Sequence, residues 1–429
     1  MDRRVFLMSS LAAAADLPVV RLAVIGTGNR GAGLLRTALR APAVEVAAVC
    51  DLNEEAAGRA ADMAATASGK KPRVFAGSES AWRGVLELEP LDAVLIATPW
   101  QWHAPMAAEA MRAGKYTGVE VPIALTYEEC WLLLETWEKT GAPCMMMENW
   151  SFRRDNLAVL NMIRRGLFGR MVHCHCAHSH DCVDHWFFDR EGRMRWGGEF
   201  LAKRNADQYP THSLGPVLSW LDINCGDAFD TLSSQATASL GINEYFRRRF
   251  GPDHPFARRE WKQGDIVTSV VRTKMGKTVV INYDMQLPRP YDNRWMVQGT
   301  RGLYDEARSS VYIVDRSPKY HEWEPFAPYQ EEFEHSWWKA MRQPQPGADP
   351  LAAGHGGTDD LEIRLFLDAA RWKKPTPLDL PDSLTMSAVI PASEESIAKG
   401  GAPVPFPDFT RGRWRGRKPY FGVDSQTGG

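Results

Sequence analysis

The chain has no block of clustered lysine and arginine. Its 51 basic residues face 53 acidic ones, for a formal net charge of −2 over 429 residues. A surface that follows phosphates needs such clustering, so no nucleic-acid partner is expected. Beyond the N-terminal stretch no run of about 18 apolar residues occurs, so no membrane-spanning helix is expected. The seven cysteines are odd in number and irregularly spaced, which implies no disulfide framework. No internal repeat is visible. A hydrophobic fraction of 44% argues against wholesale disorder. The length points to two domains. Tryptophan is in excess: the 16 copies serve as core or as platforms for sugar faces, with core the default.

The first residues read "MDRRVFLMSSLAAAADLP". Arg3 and Arg4 precede a short apolar stretch, Val5 to Ala15, that ends in alanines suited to a signal peptidase. Residues 1–15 are expected to be a twin-arginine export signal, sending a folded protein to the periplasm or exterior of a bacterium. That route suits a protein that loads a cofactor in the cytoplasm.

Residues 16–149 are expected to form a Rossmann domain. "VVRLAVIGTGNRGAGLLRTALR" is an apolar strand, a glycine turn and an amphipathic helix. Gly26, Gly28 and Gly31 fit G-x-G-x-x-G, whose glycines let the backbone approach a pyrophosphate at the helix N-terminus. A second strand, "VEVAAVC", ends at Asp51, placed to accept from ribose hydroxyls and to favour NAD over NADP. Further strand–helix units put Thr98, Trp100, His103, Glu120, Glu148 and Asn149 at strand ends, around one crevice.

After Asn149 the rhythm changes. Residues 150–400 read as a substrate-binding and catalytic α+β domain with a large, mostly antiparallel sheet. Such a sheet offers a face for a homo-oligomer. The stretch from Glu244 to Gly264 reads as a polar loop, and residues 401–429 as a tail wrapping the surface.

"HCHCAHSHDCVDH" invites a metal reading, but His173 and His175 alternate with Cys174 and Cys176 and so face the opposite side of a strand. No C-x-x-C or H-x-x-x-H pair is present, so no metal is expected there. "QYPTHSLGP" sets Tyr209, Pro210, Thr211 and His212 at a helix start, where an imidazole that titrates near neutrality can reach a crevice. A capping or core histidine is the alternative. "LPRPYDN" offers Tyr291 on a proline-bound loop, as a positioned phenol or a packed ring.

Together these stretches resemble the glucose-fructose oxidoreductase / inositol dehydrogenase superfamily, and within it the NAD-dependent glycosidases of glycoside hydrolase family 109, which include α-N-acetylgalactosaminidases. "GTGNRG", "CDL", "TPWQWHAPMAAEAMRAGK", "VEVPIALTYEECW", "CMMMEN", "LNMIRRGLFG", "HSHD", "YPTHSLGPV" and "PRPY" carry the resemblance, from about residue 22 to 295. Dehydrogenases of the superfamily have Glu-Lys-Pro where this chain, like family 109, has Glu120-Val121-Pro122.

The resemblance implies that Asn29, Arg30, Asp51, Trp100, Gln101, Trp102, His103, Glu120, Val121 and Asn149 hold NAD. It implies that His178, Tyr209, Pro210, Thr211, His212 and Tyr291 contact a small or oligosaccharide glycoside, with His212 and Tyr291 as proton carriers. The chain departs from the family at His178, where tyrosine is usual, at Gly197, where arginine follows Trp196, and at Ser151-Phe152, where Cys-Tyr is common.

The implied route needs no carboxylate pair. NAD⁺ takes hydride from sugar C3, the ketone acidifies C2, the aglycone leaves C1, water adds, and the hydride returns. His212 is the candidate base at C3 or C2, and Tyr291 at C2. Glu148, His178 and His180 are candidates for the acid. An exported sugar dehydrogenase and a non-catalytic NAD-bound sugar-binding protein are the alternatives. The first lacks an NADH pool outside the cytoplasm, and the second has no use for His212 and Tyr291.

Overall fold

The computed structural model describes residues 17–341 and 354–424. The expected export segment lies outside them. Strands β1 (Val20–Ile25), β2 (Val44–Asp51), β3 (Arg73–Ala76), β4 (Ala93–Ile96), β5 (Tyr116–Val119) and β6 (Cys144–Met146) form one parallel sheet. Their order is β3-β2-β1-β4-β5-β6. β1, β4, β5 and β6 are buried almost throughout, as strands covered by helices on both faces must be. The order reverses between β1 and β4, which opens a crevice at their carboxyl ends.

The second sheet has nine strands: β7 (Met171–Ser179), β8 (Phe229–Ala236), β9 (Ile266–Thr273), β10 (Thr278–Asp284), β11 (Met296–Gly299), β12 (Gly302–Asp305), β13 (Ser310–Ile313), β14 (Glu324–Pro325) and β15 (Val404–Pro405). Their order is β14-β13-β12-β11-β7-β10-β9-β8-β15. Only the β7–β10 pairing is parallel. This is the expected α/β architecture with a large, mostly antiparallel second sheet.

Two expectations fail. The stretch read as a loop holds helices at Gly241–Phe250 and Pro255–Arg258. Ile242 and Phe246, one turn apart, are its buried stripe. The start of the first helix is satisfied from afar: the Asp265 carboxylate accepts from the Leu240 and Gly241 N–H groups at 2.7 and 3.0 Å. The supposed surface tail is also built in. Val404 pairs with Leu232 on β8, while Phe406, Phe409 and Trp414 are buried. Its aromatics outweigh the Pro, Gly and Arg content that suggested a solvated wrap.

The late helices return to the first sheet. The helix Thr358–Arg371 packs on the helix Asn29–Arg40, and Arg371 Nε donates to Pro18 O at 3.0 Å. Ser383 and Ser387 hydroxyls accept from Met146 N and Ile123 N at 3.1 and 3.2 Å, so the ends of β5 and β6 are braced from the far end of the chain. The crevice residues hang from those braced ends.

Candidate active site

Gly26 has φ +83°, and a Cβ there would lie 2.5 Å from Ala97 O, so only glycine turns the chain after β1. Gly31 packs equally close beneath it, against Gly26 O. A Cβ on Gly28 would meet nothing within 4 Å. Gly28 opens the helix Asn29–Arg40 with no side-chain cap, leaving its first N–H groups free for an anion. Asp51 caps as well: its carboxylate accepts from Thr27 N at 2.6 Å and Asn53 N at 2.9 Å, pinning the glycine turn to the end of β2. These residues fit a dinucleotide. Removing the carboxylate as Asp51→Ala should weaken NAD binding by about 10- to 100-fold, the worth of a charge-assisted hydrogen bond. Cofactor released from denatured protein and weighed by mass spectrometry measures it; undiminished NAD in the variant would reduce Asp51 to a turn support.

Arg30 reaches from the glycine turn across the crevice. Its Nε lies 2.5 Å from Glu120 Oε1 and its Nη1 2.8 Å from Asp359 Oδ2. Asn149 Nδ2 donates to Asp359 Oδ1 at 2.8 Å, and His355 Nδ1 donates to Asp359 Oδ2 at the same distance. Burial opposes the Arg30 charge, but Glu120 and Asp359 outweigh it and hold the guanidinium above its ordinary range. Val121 is buried next to Glu120. The cation beside Glu120 therefore comes from the glycine turn after β1.

The structure spreads the other expected cofactor residues. His103 is buried, with Nδ1 2.7 Å from Pro122 O and Nε2 2.8 Å from Thr98 O. Both ring nitrogens are thus engaged inside the protein, and the residue braces two strand ends. Trp100 is buried in an aromatic cluster, its ring centroid 4.8 Å from Trp186 and 5.8 Å from Tyr209. Trp102 is half-buried, while Asn29 and Gln101 are exposed.

Beside this network lies an open cleft of about 430 Å³. Pro210 starts the helix Pro210–Trp220, with Thr211 buried, and the first turn presents His212. Its Nδ1 lies 2.7 and 2.9 Å from the two oxygens of Glu148, whose side chain is fully buried after β6. Burial pushes the Glu148 carboxyl up to about 8 and the His212 imidazole down to about 3. At neutral pH the pair is net neutral, with one proton shared between Nδ1 and the carboxyl. His212 Nε2, 3.5 Å from the Tyr209 hydroxyl, faces the cleft. His178, at the end of β7, stacks on Tyr209 at 4.6 Å and stands 5.2 Å from the His212 ring. Burial and its histidine neighbours keep it uncharged. Tyr291 closes the mouth, its ring 5.5 Å from His178. The residue is exposed at the rim, but desolvation of its hydroxyl, then Glu148, push its pKa up. His212, His178, Tyr209 and Tyr291 are thus brought together as expected.

Sequence reasoning missed His355, Asp359, Trp150 and Trp186. His355 sits in a Gly-His-Gly-Gly turn before a helix, the one local signal available. The segment read as lacking a ligand set behaves as expected only in its first half. His173 and His175 hydrogen-bond to Thr278 and Asn282 on β10, on the face opposite the buried Cys174 and Cys176. Past Ser179 the chain folds back, and His180, Cys182 and His185 converge. All seven cysteines are free thiols.

Glu148 also predicts a pH dependence of stability. The native carboxyl keeps its proton up to about pH 8, against an ordinary 4.5. Between those values the native state binds more protons than the unfolded chain, so this contribution is full below 4.5 and is lost as pH rises through 8. Glu148→Gln should flatten the fall of Tm across that window; an unchanged slope would mean the carboxyl is already ionised.

The C-terminal-domain profile of glycosyl hydrolase 109 matches residues 152–416, and that of the oxidoreductase family with an NAD-binding Rossmann fold matches residues 20–148. A glycosyl hydrolase family 109 protein of Stenotrophomonas maltophilia is 40% identical over 99% of both chains. The chain belongs to glycosyl hydrolase family 109. An α-N-acetylgalactosaminidase of Tannerella forsythia is 38% identical, over 94% of this chain and 89% of its own. Among solved structures, levoglucosan dehydrogenase with NADH and levoglucosan shares the fold at TM-score 0.66 and 19% identity, over 90% of this chain and 99% of its own. The myo-inositol dehydrogenase of Lactobacillus casei with NAD(H) and myo-inositol does so at 0.61 and 16%, over 91% and 99%. The family 109 chain is an NAD-dependent glycoside hydrolase built on a dehydrogenase fold.

Gly197, where the resemblance implied an arginine after Trp196, packs on Trp186; a Cβ there would lie 3.1 Å from Trp186 O. Arg195 is exposed and does not line the cleft.

Proposed function

We propose that the enzyme cleaves glycosides by redox-neutral oxidation, elimination, addition and reduction, with α-N-acetylgalactosaminides the first class to test. The cleft itself supports this reading most strongly. Among the described residues its lining is imidazole, indole, phenol and sulfur, with no carboxylate. A conventional glycosidase needs two carboxylates flanking the anomeric carbon.

The glycine turn and Asp51 would hold NAD⁺, which would supply reversible hydride abstraction from a sugar carbon. His212 is the base. The active form is the pair less one proton, reached as pH rises towards about 8, with Glu148 a carboxylate holding Nδ1–H and Nε2 bearing a free lone pair. As Nε2 takes the C3 hydroxyl proton, Nδ1 passes its own to Glu148, which returns the pair to its neutral form. Once the pair has returned that proton through the open cleft, it serves C2, which the neighbouring ketone has acidified. Tyr291 was expected to take the C2 proton. A phenol whose pKa is pushed up keeps its proton, which disfavours the C2-base role. Standing in the cleft beside His178 and His180, its O–H is placed to donate to the departing oxygen instead. The choice of aminosugar rests on the named relative from Tannerella forsythia. A screen of chromogenic α- and β-glycosides tests the reading. Aglycone release without net NADH is expected; NADH accumulating with an intact keto-glycoside would make the protein a dehydrogenase instead.

The same reading places the enzyme outside the cytoplasm, on the Arg3-Arg4 pair and the alanine-ended apolar stretch. Replacing both arginines by lysine should trap it inside; unchanged fractionation would remove the export assignment.

A further inference from the structure

His180, Cys182 and His185 form a second chemical centre on the cleft wall, with no part in the proton route above. One ligand atom from each lies within 4.8 Å of the other two. Cys182 Sγ is 3.4 Å from His180 Nδ1, and the two imidazole centroids are 5.2 Å apart. The backbone that carries them is fixed without any ion. His180 N donates to Asp284 O at 2.8 Å and Cys182 N to Met285 O at 3.1 Å, fastening this segment to β10 and the residue after it. A wide helical turn, Val183–Phe187, closes back on Cys182 O, and buried Val183, Phe187 and Phe188 anchor it. His185 is exposed at the rim, its Nδ1 3.7 Å from Asp184 Oδ1. All three ligands line the cleft, and the His180 ring lies 5.0 Å from Tyr291.

We propose that His180, Cys182 and His185 bind one divalent ion of the zinc class, with an open fourth position facing the cleft. Zinc–sulfur bonds of about 2.3 Å and zinc–nitrogen bonds of about 2.0 Å in a tetrahedron put ligand atoms ~3.3–3.5 Å apart. The Sγ···Nδ1 separation of 3.4 Å already has that value. The exposed His185 side chain can close the remaining gap by a rotamer change. A thiolate with two imidazoles selects zinc, cobalt or copper over magnesium and calcium, which prefer oxygen. Three protein ligands with one position left open is the pattern of a site that takes a water or a ligand oxygen. The Asp184 carboxylate, 3.7 Å from His185 Nδ1, is one side-chain rotation from orienting a metal-bound imidazole. The open position shares the cleft with Tyr291, so the ion is placed to hold a water or a hydroxyl of the bound glycoside.

The test reads metal rather than turnover, so it stands apart from the glycosidase reading. The full chain with its NAD is stripped with a chelator, then titrated with Zn²⁺ and separately with Co²⁺. One equivalent should bind, and the Co²⁺ form should show a thiolate-to-metal charge-transfer band in the near ultraviolet. Cys182→Ser should abolish that band. His185→Ala, at an exposed position that does not endanger folding, should weaken binding at least tenfold. Absence of the band in the wild-type chain, or equal affinity in His185→Ala, would overturn the site and leave an S–H···N contact between Cys182 and His180.

Discussion

His212→Ala should lower turnover by about 10²–10⁴-fold, the usual worth of a positioned acid–base group, with NAD still bound. The cofactor turn is built from Gly26, Gly28, Gly31 and Asp51, and none of them touches His212. The lost imidazole leaves the fully buried Glu148 with the Trp150 N–H at 3.0 Å but without its histidine partner, and an unmade hydrogen bond there costs about 1–3 kcal/mol. Tm and NAD content measured on the same preparation therefore separate a chemical loss from a folding loss. Glu148→Gln keeps the volume and a hydrogen bond to Nδ1 but cannot receive a proton. Its turnover should fall less than that of His212→Ala, and its pH–rate profile should lose the limb assigned to the shared proton. A His212→Ala enzyme that turns over normally would move the base to His178, whose Nδ1 has no partner.

The part of this site legible in the sequence is the part made by neighbours in the chain. The continuous apolar run of β1, three glycines at fixed spacing and an acidic residue ending β2 are local signals, and each is found in place. Glu120-Val121-Pro122 was equally visible, as was His212 at a helix start. The network around them was not. Arg30 and Asp359 are 329 positions apart and meet only because the helix Thr358–Arg371 packs back on the first sheet. No periodicity announces such a contact. The same holds for Asp265 beneath the helix Gly241–Phe250, whose arginine-rich sequence hid a two-residue buried stripe. The histidine–cysteine segment was legible only in part. Strand alternation was the right rule up to Ser179, but the chain leaves the sheet there, and a wide turn brings His185 back onto His180.

Cleavage in D₂O should place deuterium at C2 of the released sugar. Elimination removes the C2 proton to a group that exchanges with solvent, and addition of water returns a deuteron. Direct displacement by carboxylates would leave C2 untouched, and a cleaved sugar without C2 deuterium would sink the elimination mechanism outright. Tyr291→Phe divides the two roles open to the phenol. As the donor to the departing oxygen, its loss should slow aglycone release while C2 exchange of unreacted glycoside continues. As the C2 base, its loss would stop exchange first. Val121→Lys asks why this chain has no lysine beside Glu120. Arg30 already supplies the cation, with its Nε 2.5 Å from Glu120 Oε1. A lysine at the buried position 121 would compete for that carboxylate and place a second positive charge against the first. Breaking a buried pair in this way costs about 3–5 kcal/mol. The variant should lose both Tm and turnover, and Val121→Met, of similar reach without charge, should lose far less. A Val121→Lys enzyme that gains dehydrogenase turnover at full stability would show instead that the site keeps room for the lysine, and that Arg30 does not stand in for it.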